Sequence, residues 1–328
     1  MKIERFTESH LKEAAKVLAQ SIQRLRSINP AISAKFEQIS MTHTHLQVLQ
    51  QNGAIGMVAI DNGKILGFLL GETREDEYFG RSVWAKLSSH ALAEGVDSVL
   101  YRQLYAAAGE QWMAQGYPNH YVEVPAADEA ALWTWFGLGF GQQQVYGVLD
   151  LSAHSHCMFS NDTKVSIRRA KPGDEDILKS FAWNIAGYQT GAPVWAPTEK
   201  NEKTELEEGY AELASDEECV TWLAFEGEQA MGMQMYRPLT DADKEVMHSK
   251  NSIELAVGST MPKARGKGVA SVLTQHGLAY AREQGFEWCI TDWRTTNLLS
   301  AAFWPKMGFV PVAHRLERRV DERGCMVR

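Results

Sequence analysis

The chain has 328 residues, 45% of them apolar and 23% charged, with a formal net charge of −8. That length exceeds one ordinary domain of roughly 100–200 residues and supports a sizeable buried core, so global disorder is excluded and two domains are expected. An excess of 41 Asp and Glu over 33 Lys and Arg lacks the bulk basic field of non-specific nucleic-acid binding, and without an apolar run of 18 residues no membrane span is expected.

The N-terminus, Met1-Lys2-Ile3-Glu4-Arg5-Phe6, enters a strand-like alternation directly, with no signal-type apolar stretch. A helical run from Glu8 to Leu25 follows. Gly56–Ile60 and Lys64–Leu70 then flank Asp61-Asn62-Gly63, a strong hairpin signal. Gly95-Val96-Asp97-Ser98-Val99-Leu100 precedes a later aromatic helix, Leu132-Trp133-Thr134-Trp135-Phe136, which ends at Gly139-Phe140. A polar stretch without periodicity, 152–163, reads as a linker; a metal role for His154 and His156 there is much weaker than a solvated one. The pattern then begins again. Val165–Ala170 is a strand, Asp174 to Ile185 a helix, and Thr221–Phe225 and Gln229–Tyr236 a hairpin about Glu226-Gly227-Glu228. Ser252–Val257 is a strand leading into a glycine-rich turn. A helix runs from about Val269 to Gln284, closed by Gly285, and Trp288–Asp292 is the next strand. Gly268-Val269-Ala270-Ser271-Val272-Leu273 echoes Gly95–Leu100, and Phe303-Trp304 before Gly308-Phe309 echoes the aromatic helix of the first half. One unit is therefore written twice: residues 1–151 and 164–328, each a mixed α/β (α+β) domain. The four cysteines are far apart and show no metal spacing, so no metal is expected and a reducing, cytoplasmic setting is the default.

The chemistry concentrates at Met261-Pro262-Lys263-Ala264-Arg265-Gly266-Lys267-Gly268-Val269-Ala270, between a strand and a helix. Little side-chain bulk stands at the turn, so amides of the helix's first turn are free to face one anion, and Arg265 and Lys267 add positive charge. The spacing fits neither GxxxxGK[ST] nor GxGxxG. A plain basic turn is the competing reading.

With Asn297 about thirty residues on, followed by Phe303, Trp304 and Gly308-Phe309, this order resembles the GNAT superfamily of acyl-CoA-dependent N-acyltransferases, well over roughly 164–320 and weakly over the first half. The resemblance implies two tandem domains, each a mixed, mostly antiparallel splayed sheet flanked by helices, with acetyl-CoA as co-substrate. It implies the backbone of Arg265, Gly266, Lys267, Gly268, Val269 and Ala270 around the pyrophosphate. Val257, Gly258, Ser259, Thr260 and Met261 would lie along the pantetheine arm, and Asn297, Phe303 and Trp304 beside it. An acyl thioester is already activated, so the protein need only place it beside an amine and remove a proton. Glu254 is the candidate base, with a solvent-facing strand glutamate as its alternative role; Asp292 is the rival base, an ammonium anchor, or a cap near Asn297. Many members carry a Tyr acid where this chain has Trp304, which leaves water, Tyr280 or Tyr236 as the proton source, or no acid at all, since the leaving thiolate is a modest base. In the first copy, alignment of Gly95 with Gly268 puts Leu92, Glu94 and Asp97 where Arg265, Lys267 and Ala270 stand, so no carrier site is expected there.

The acceptor is expected to be a small-molecule or protein amine, with neither nucleic acid nor membrane as partner, and the protein a monomer or homodimer. The acidic stretch Glu199–Glu228 reads as a solvated helix face or as an acidic wall for a cationic amine. Tyr188, Trp195 and 191–194 read as apolar walls of that site or as core. A non-catalytic acyl-CoA sensor, or an acyltransferase with another donor, is the alternative function.

Overall fold

A computed structural model describes residues 1–153, 164–199, 201–240, 245–248, 251–321 and 323. The His154/His156 pair and nearly all of the expected linker lie outside the described residues.

The first half begins with β1 (Lys2–Arg5), α1 (Leu11–Ile28) and α2 (Ile39–Gln51). Then come β2 (Ile55–Asp61), β3 (Lys64–Asp76), β4 (Gly80–Ala85), β5 (His90–Leu92), α3 (Leu100–Ala114), β6 (Asn119–Pro125), α4 (Glu129–Phe136) and β7 (Gly141–Asp150). The second half holds β8 (Ser166–Arg169), α5 (Glu175–Gln189), α6 (Glu202–Glu212), β9 (Val220–Glu226), β10 (Gln229–Pro238) and β11 (Ser252–Thr260). It ends with α7 (Val269–Glu283), β12 (Trp288–Arg294), α8 (Leu298–Lys306) and β13 (Val310–Arg319). The predicted β2–β3 hairpin closes through Asn62 and Gly63, both left-handed (φ 47° and 75°), the two-residue turn that matches strand twist.

The chain forms two compact units, and they do not follow chain order. One comprises Met1–Tyr146 with Pro311–Arg328 and the short piece 245–248; the other comprises Gly147–Asp243 and Lys250–Val310. The expected extents, 1–151 and 164–328, differ from these because β13 leaves the second half to pair antiparallel with β6, from Ala313↔Pro125 to Arg319↔Asn119. Leu316, fully buried, joins the core of Leu104, Trp112 and Trp135 there. Cross-strand ladders of that length are non-local contacts, which local periodicity does not report.

In the first unit the strand order is β1-β2-β3-β4-β6-β13-β7, with β5 on β3; in the second it is β8-β9-β10-β11-β12 and then the end of β7. Pairing is antiparallel in β1–β2–β3–β4, β3–β5, β6–β13 and β8–β9–β10–β11, and parallel between β4 and β6 and between β11 and β12. In the second unit α7 covers one face of the sheet and α5 and α6 the other, with Leu178, Phe181, Tyr210, Leu223 and Met233 in one buried cluster. Close approach of α7 to β10 depends on Gly277: a Cβ there would stand 2.2 Å from the Tyr236 hydroxyl. Gly277→Ala is expected to destabilise by about 1–3 kcal/mol in urea unfolding, although alanine is the better helix former. A stabilised variant would refute that packing.

Candidate active site

The parallel ladder between β11 and β12 is short. It pairs Ser252↔Trp288, Ile253↔Cys289 and Glu254↔Ile290 and then stops, although β11 continues to Thr260 and β12 to Arg294. One side-chain bond, Thr291 Oγ1 donating to the Leu255 carbonyl at 2.9 Å, spans the start of the gap. Beyond it the two strands part. From Val257 to Thr260, β11 is paired on its β10 edge only.

A bulge lies at the same place. Met235 pairs with Val257 and Tyr236 with Leu255, so Ala256 is an extra residue with no partner on β10. A bulge frees backbone groups and re-aims neighbouring side chains.

Glu254 stands on the last rung before the gap. Its carboxylate meets Arg237, its cross-strand partner on β10, at 2.8 Å, and its side chain is 31% exposed. Strand alternation fixes its face. Tyr236, one residue before Arg237, points at α7, so Arg237 and Glu254 face the α5–α6 side. Ile290 is opposite Glu254, and Asp292, two residues on, shares that face from the other arm and is exposed. The two candidate carboxylates thus flank one gap on one face. Asp292 is not the helix cap: Asn297 is. Its Oδ1 accepts from the amides of Leu299 and Ser300 at 3.2 Å, which fixes the start of α8.

The far end of the gap is the basic turn. Met261, Pro262, Lys263 and Ala264 make a single tight turn, and Arg265 is half-buried. Gly266 and Gly268 hold φ of 75° and 81°, a left-handed backbone that side chains resist. Gly268 is the N-cap of α7 and carries no capping side chain. The amides of Val269 and Ala270, in the first helical turn, have no intrahelical partner and meet the positive end of the helix dipole. Lys263 Nζ donates to Gln229 at 2.7 Å, while the Arg265 guanidinium lies over the Tyr188 ring at 5.2 Å. Tyr188 is therefore beside the anion turn.

Trp304 is buried (6% exposed) and T-shaped against Phe309; Phe303 packs edge-on to it. A Cβ on Gly258 would lie 3.4 Å from its ring, so the indole of α8 reaches β11 where that strand has no side chain. Two contacts were not legible in the sequence. Asn184 of α5 donates to Ser259 Oγ at 3.3 Å, and Arg237 pairs with Glu254. The four-residue spacing of Asn184 and Tyr188, one face of a helix, was the available signal for α5.

The tyrosines considered as acids point elsewhere. Tyr236 is fully buried on the α7 side, its hydroxyl donates to Gln234 at 2.9 Å, and burial pushes its pKa far up. Tyr280 of α7 packs on Trp222 of β9. On α6, Leu206 and Tyr210 turn inward while Glu205, Glu208 and Glu212 are exposed, the arrangement of a solvated helix face.

The first unit differs at each matching point. Gly95 keeps a left-handed φ of 76°, but α3 starts only at Leu100. The amides of Val99 and Leu100 are taken by Asp97 itself, through Oδ1 at 2.9 Å and its carbonyl at 3.0 Å, and that of Tyr101 by Ser98. The parallel ladder of β4 and β6 ends at Ala85↔Val122. Past it, His90 Nε2 donates to the Glu123 carbonyl at 2.8 Å, bridging β5 to β6, and Glu123 Oε2 accepts from the Leu87 amide at 3.1 Å.

The acetyltransferase (GNAT) family model matches residues 188–309, the stretch that holds the gap, the basic turn and α8. No curated protein matches the chain. Its structure is similar to that of a GCN5-related N-acetyltransferase from Sphaerobacter thermophilus, with a TM-score of 0.58 and 14% identity over 97% of this chain and 95% of that one. It is also similar to a tandem GNAT protein from the clavulanic acid biosynthesis pathway, with a TM-score of 0.52 and 12% identity over 97% and 98%. Among the described residues no helix is long and apolar enough to cross a membrane. The second half of the chain thus carries a match to the GNAT acetyltransferase family over residues 188–309, and the chain as a whole shares its fold with GNAT proteins, one of them a tandem GNAT protein.

Proposed function

We propose that the second half of the chain transfers an acetyl group from acetyl-CoA to a primary amine by direct attack in a ternary complex. The observation that carries this is the open gap between β11 and β12, with Glu254 at its apex and a basic glycine turn at its mouth. The diphosphate sits on the turn from Arg265 to Ala270, where unpaired amides and the helix dipole favour an anion. The pantetheine arm adds to the open edge of β11, Val257 to Met261, as an extended strand would. Its thioester then lies near the bulge at Ala256, whose freed backbone suits the carbonyl oxygen as charge builds.

The acceptor enters on the Glu254 face. Its ammonium gives a proton to Glu254, directly or through one water, and the neutral nitrogen attacks the carbonyl carbon. The C–S bond breaks as the amide forms, the second N–H proton leaves to water, and water returns one proton to the thiolate, since Trp304 offers no acidic hydroxyl. Asp292 anchors the incoming ammonium. Phe303 and Trp304 wall the arm, and Asn297 acts by holding α8. In the first half Asp97 and the His90 bridge occupy the positions a carrier needs, so that half takes none. The acceptor is a small-molecule or protein amine.

The test is release of free CoA thiol from acetyl-CoA across a panel of primary amines, followed by mass detection of the acetylated product. Turnover with at least one amine, abolished by Gly268→Val, is expected. Tight binding of acetyl-CoA without turnover on any amine would favour a sensor.

A further inference from the structure

We infer that Tyr188 is a positioning residue for the carrier's diphosphate, holding the Arg265 guanidinium at the turn through its ring face. This rests on the reading that the turn takes the diphosphate. Helix α5 lies along the segment it would serve: Asn184 touches Ser259 and Met261 at the start of the turn, and Tyr188, one helical turn on, lies under Arg265 at its end. A free arginine side chain loses rotamer entropy when it clamps an anion. A guanidinium already resting over an aromatic face has lost part of that freedom before the anion arrives, and its N–H groups can still donate to an anion. Pre-organisation of this kind is worth affinity without adding a contact to the ligand.

The first unit shows the contrast. At the position aligned with Arg265 stands Leu92, which has no charge to place, and the arginine there comes from the helix instead: Arg24 of α1 donates to the Leu92 carbonyl at 3.1 Å. A cationic group thus stands between helix and turn in both units. Only in the second does it belong to the turn and rest on a ring of the helix.

Calorimetry with CoA, and with pantetheine as a probe lacking the diphosphate, separates the possibilities in the full chain. Tyr188→Leu is expected to weaken CoA binding by about threefold to tenfold, the worth of one cation–π contact, and to leave pantetheine binding unchanged. Tyr188→Phe keeps the ring and should bind CoA like wild type. In an Arg265→Gln background, Tyr188→Leu should add nothing. Loss of CoA and pantetheine binding together in Tyr188→Leu would mean a structural role and overturn the inference, as would a Tyr188→Phe loss equal to that of Tyr188→Leu. If wild type binds CoA no more tightly than pantetheine, the diphosphate assignment of the turn fails. If it binds CoA more tightly but Tyr188→Leu does too, only the role of Tyr188 fails.

Discussion

Glu254→Gln is expected to lower kcat by about 10²–10⁴-fold, the usual worth of a general base, while binding of CoA stays within about twofold. The substitution keeps the volume and a hydrogen-bonding oxygen for Arg237, which stands 2.8 Å from the native carboxylate. It removes the capacity to take a proton. The donor's own contacts, on the turn and along β11, lie beyond the gap's apex and should not register the change. Arg237 loses the charge of this one partner, but it is 39% exposed, so water screens it and the cost to folding is small. Asp292→Asn discriminates the two carboxylates. An anchor for the ammonium raises the acceptor KM with little change in kcat, whereas loss of kcat in Asp292→Asn together with normal turnover in Glu254→Gln would reverse their roles.

Acidification should unfold the first unit. Helix α3 presents Tyr101 and Tyr105, four residues apart, and each hydroxyl meets Nδ1 of a buried histidine, His90 at 3.0 Å and His120 at 2.8 Å. The opposite ring nitrogens donate to the Glu123 and Tyr117 carbonyls at 2.8 and 2.9 Å. A carbonyl only accepts, so Nε2 carries the proton; Nδ1 is then the acceptor of a neutral ring, and a second proton would break the tyrosine bond. Burial pushes both pKa values down from 6.5 to about 4. Because the folded values are depressed, the stabilisation is complete above pH 6.5 and is lost as pH falls towards 4, on the order of 3 kcal/mol for each ring. Glu123 acts in the opposite sense. Burial, reinforced by Glu245, raises its carboxyl from 4.5 to about 7, so its contribution is present below 4.5 and lost as pH rises through 7. Two histidines outweigh one glutamate, so stability should rise from about pH 4 and level off at about pH 7. Urea midpoints from pH 4 to 8 test this, with Glu123→Gln expected to steepen the rise between about pH 4.5 and 6.5 by removing the opposing glutamate contribution. A midpoint flat between pH 4 and 6.5 would contradict the neutral-histidine network.

The order of elements was legible because it rests on local chemistry. The period of apolar residues, the Asn62-Gly63 turn and the glycines about Arg265 and α7 each act over a few residues, and the second half follows the expected alternation of strands and helices. The fold family was legible for the same reason: the basic turn, Asn297 and the aromatic helix before Gly308-Phe309 stand in order along one stretch. What remained hidden depends on pairs distant in sequence. Nothing near Glu254 announces Arg237, because their contact comes from β-register. Asn297 carries a family signal, yet its visible work is to cap α8. Trp304 reads as a substitute for tyrosine; that it reaches β11 follows from the missing side chain of Gly258, forty-odd residues away in sequence.

Strand β13 has a consequence for how the protein is made. Its pairing with β6 completes the first unit's sheet, yet it is translated after the whole of the second. During synthesis the β6 edge emerges early and waits, with its amides and carbonyls unmatched, while the ribosome adds the intervening residues; such an edge invites pairing with a neighbouring nascent chain. Splitting the gene between the halves would make that wait permanent, so the two domains are best regarded as a single product of translation.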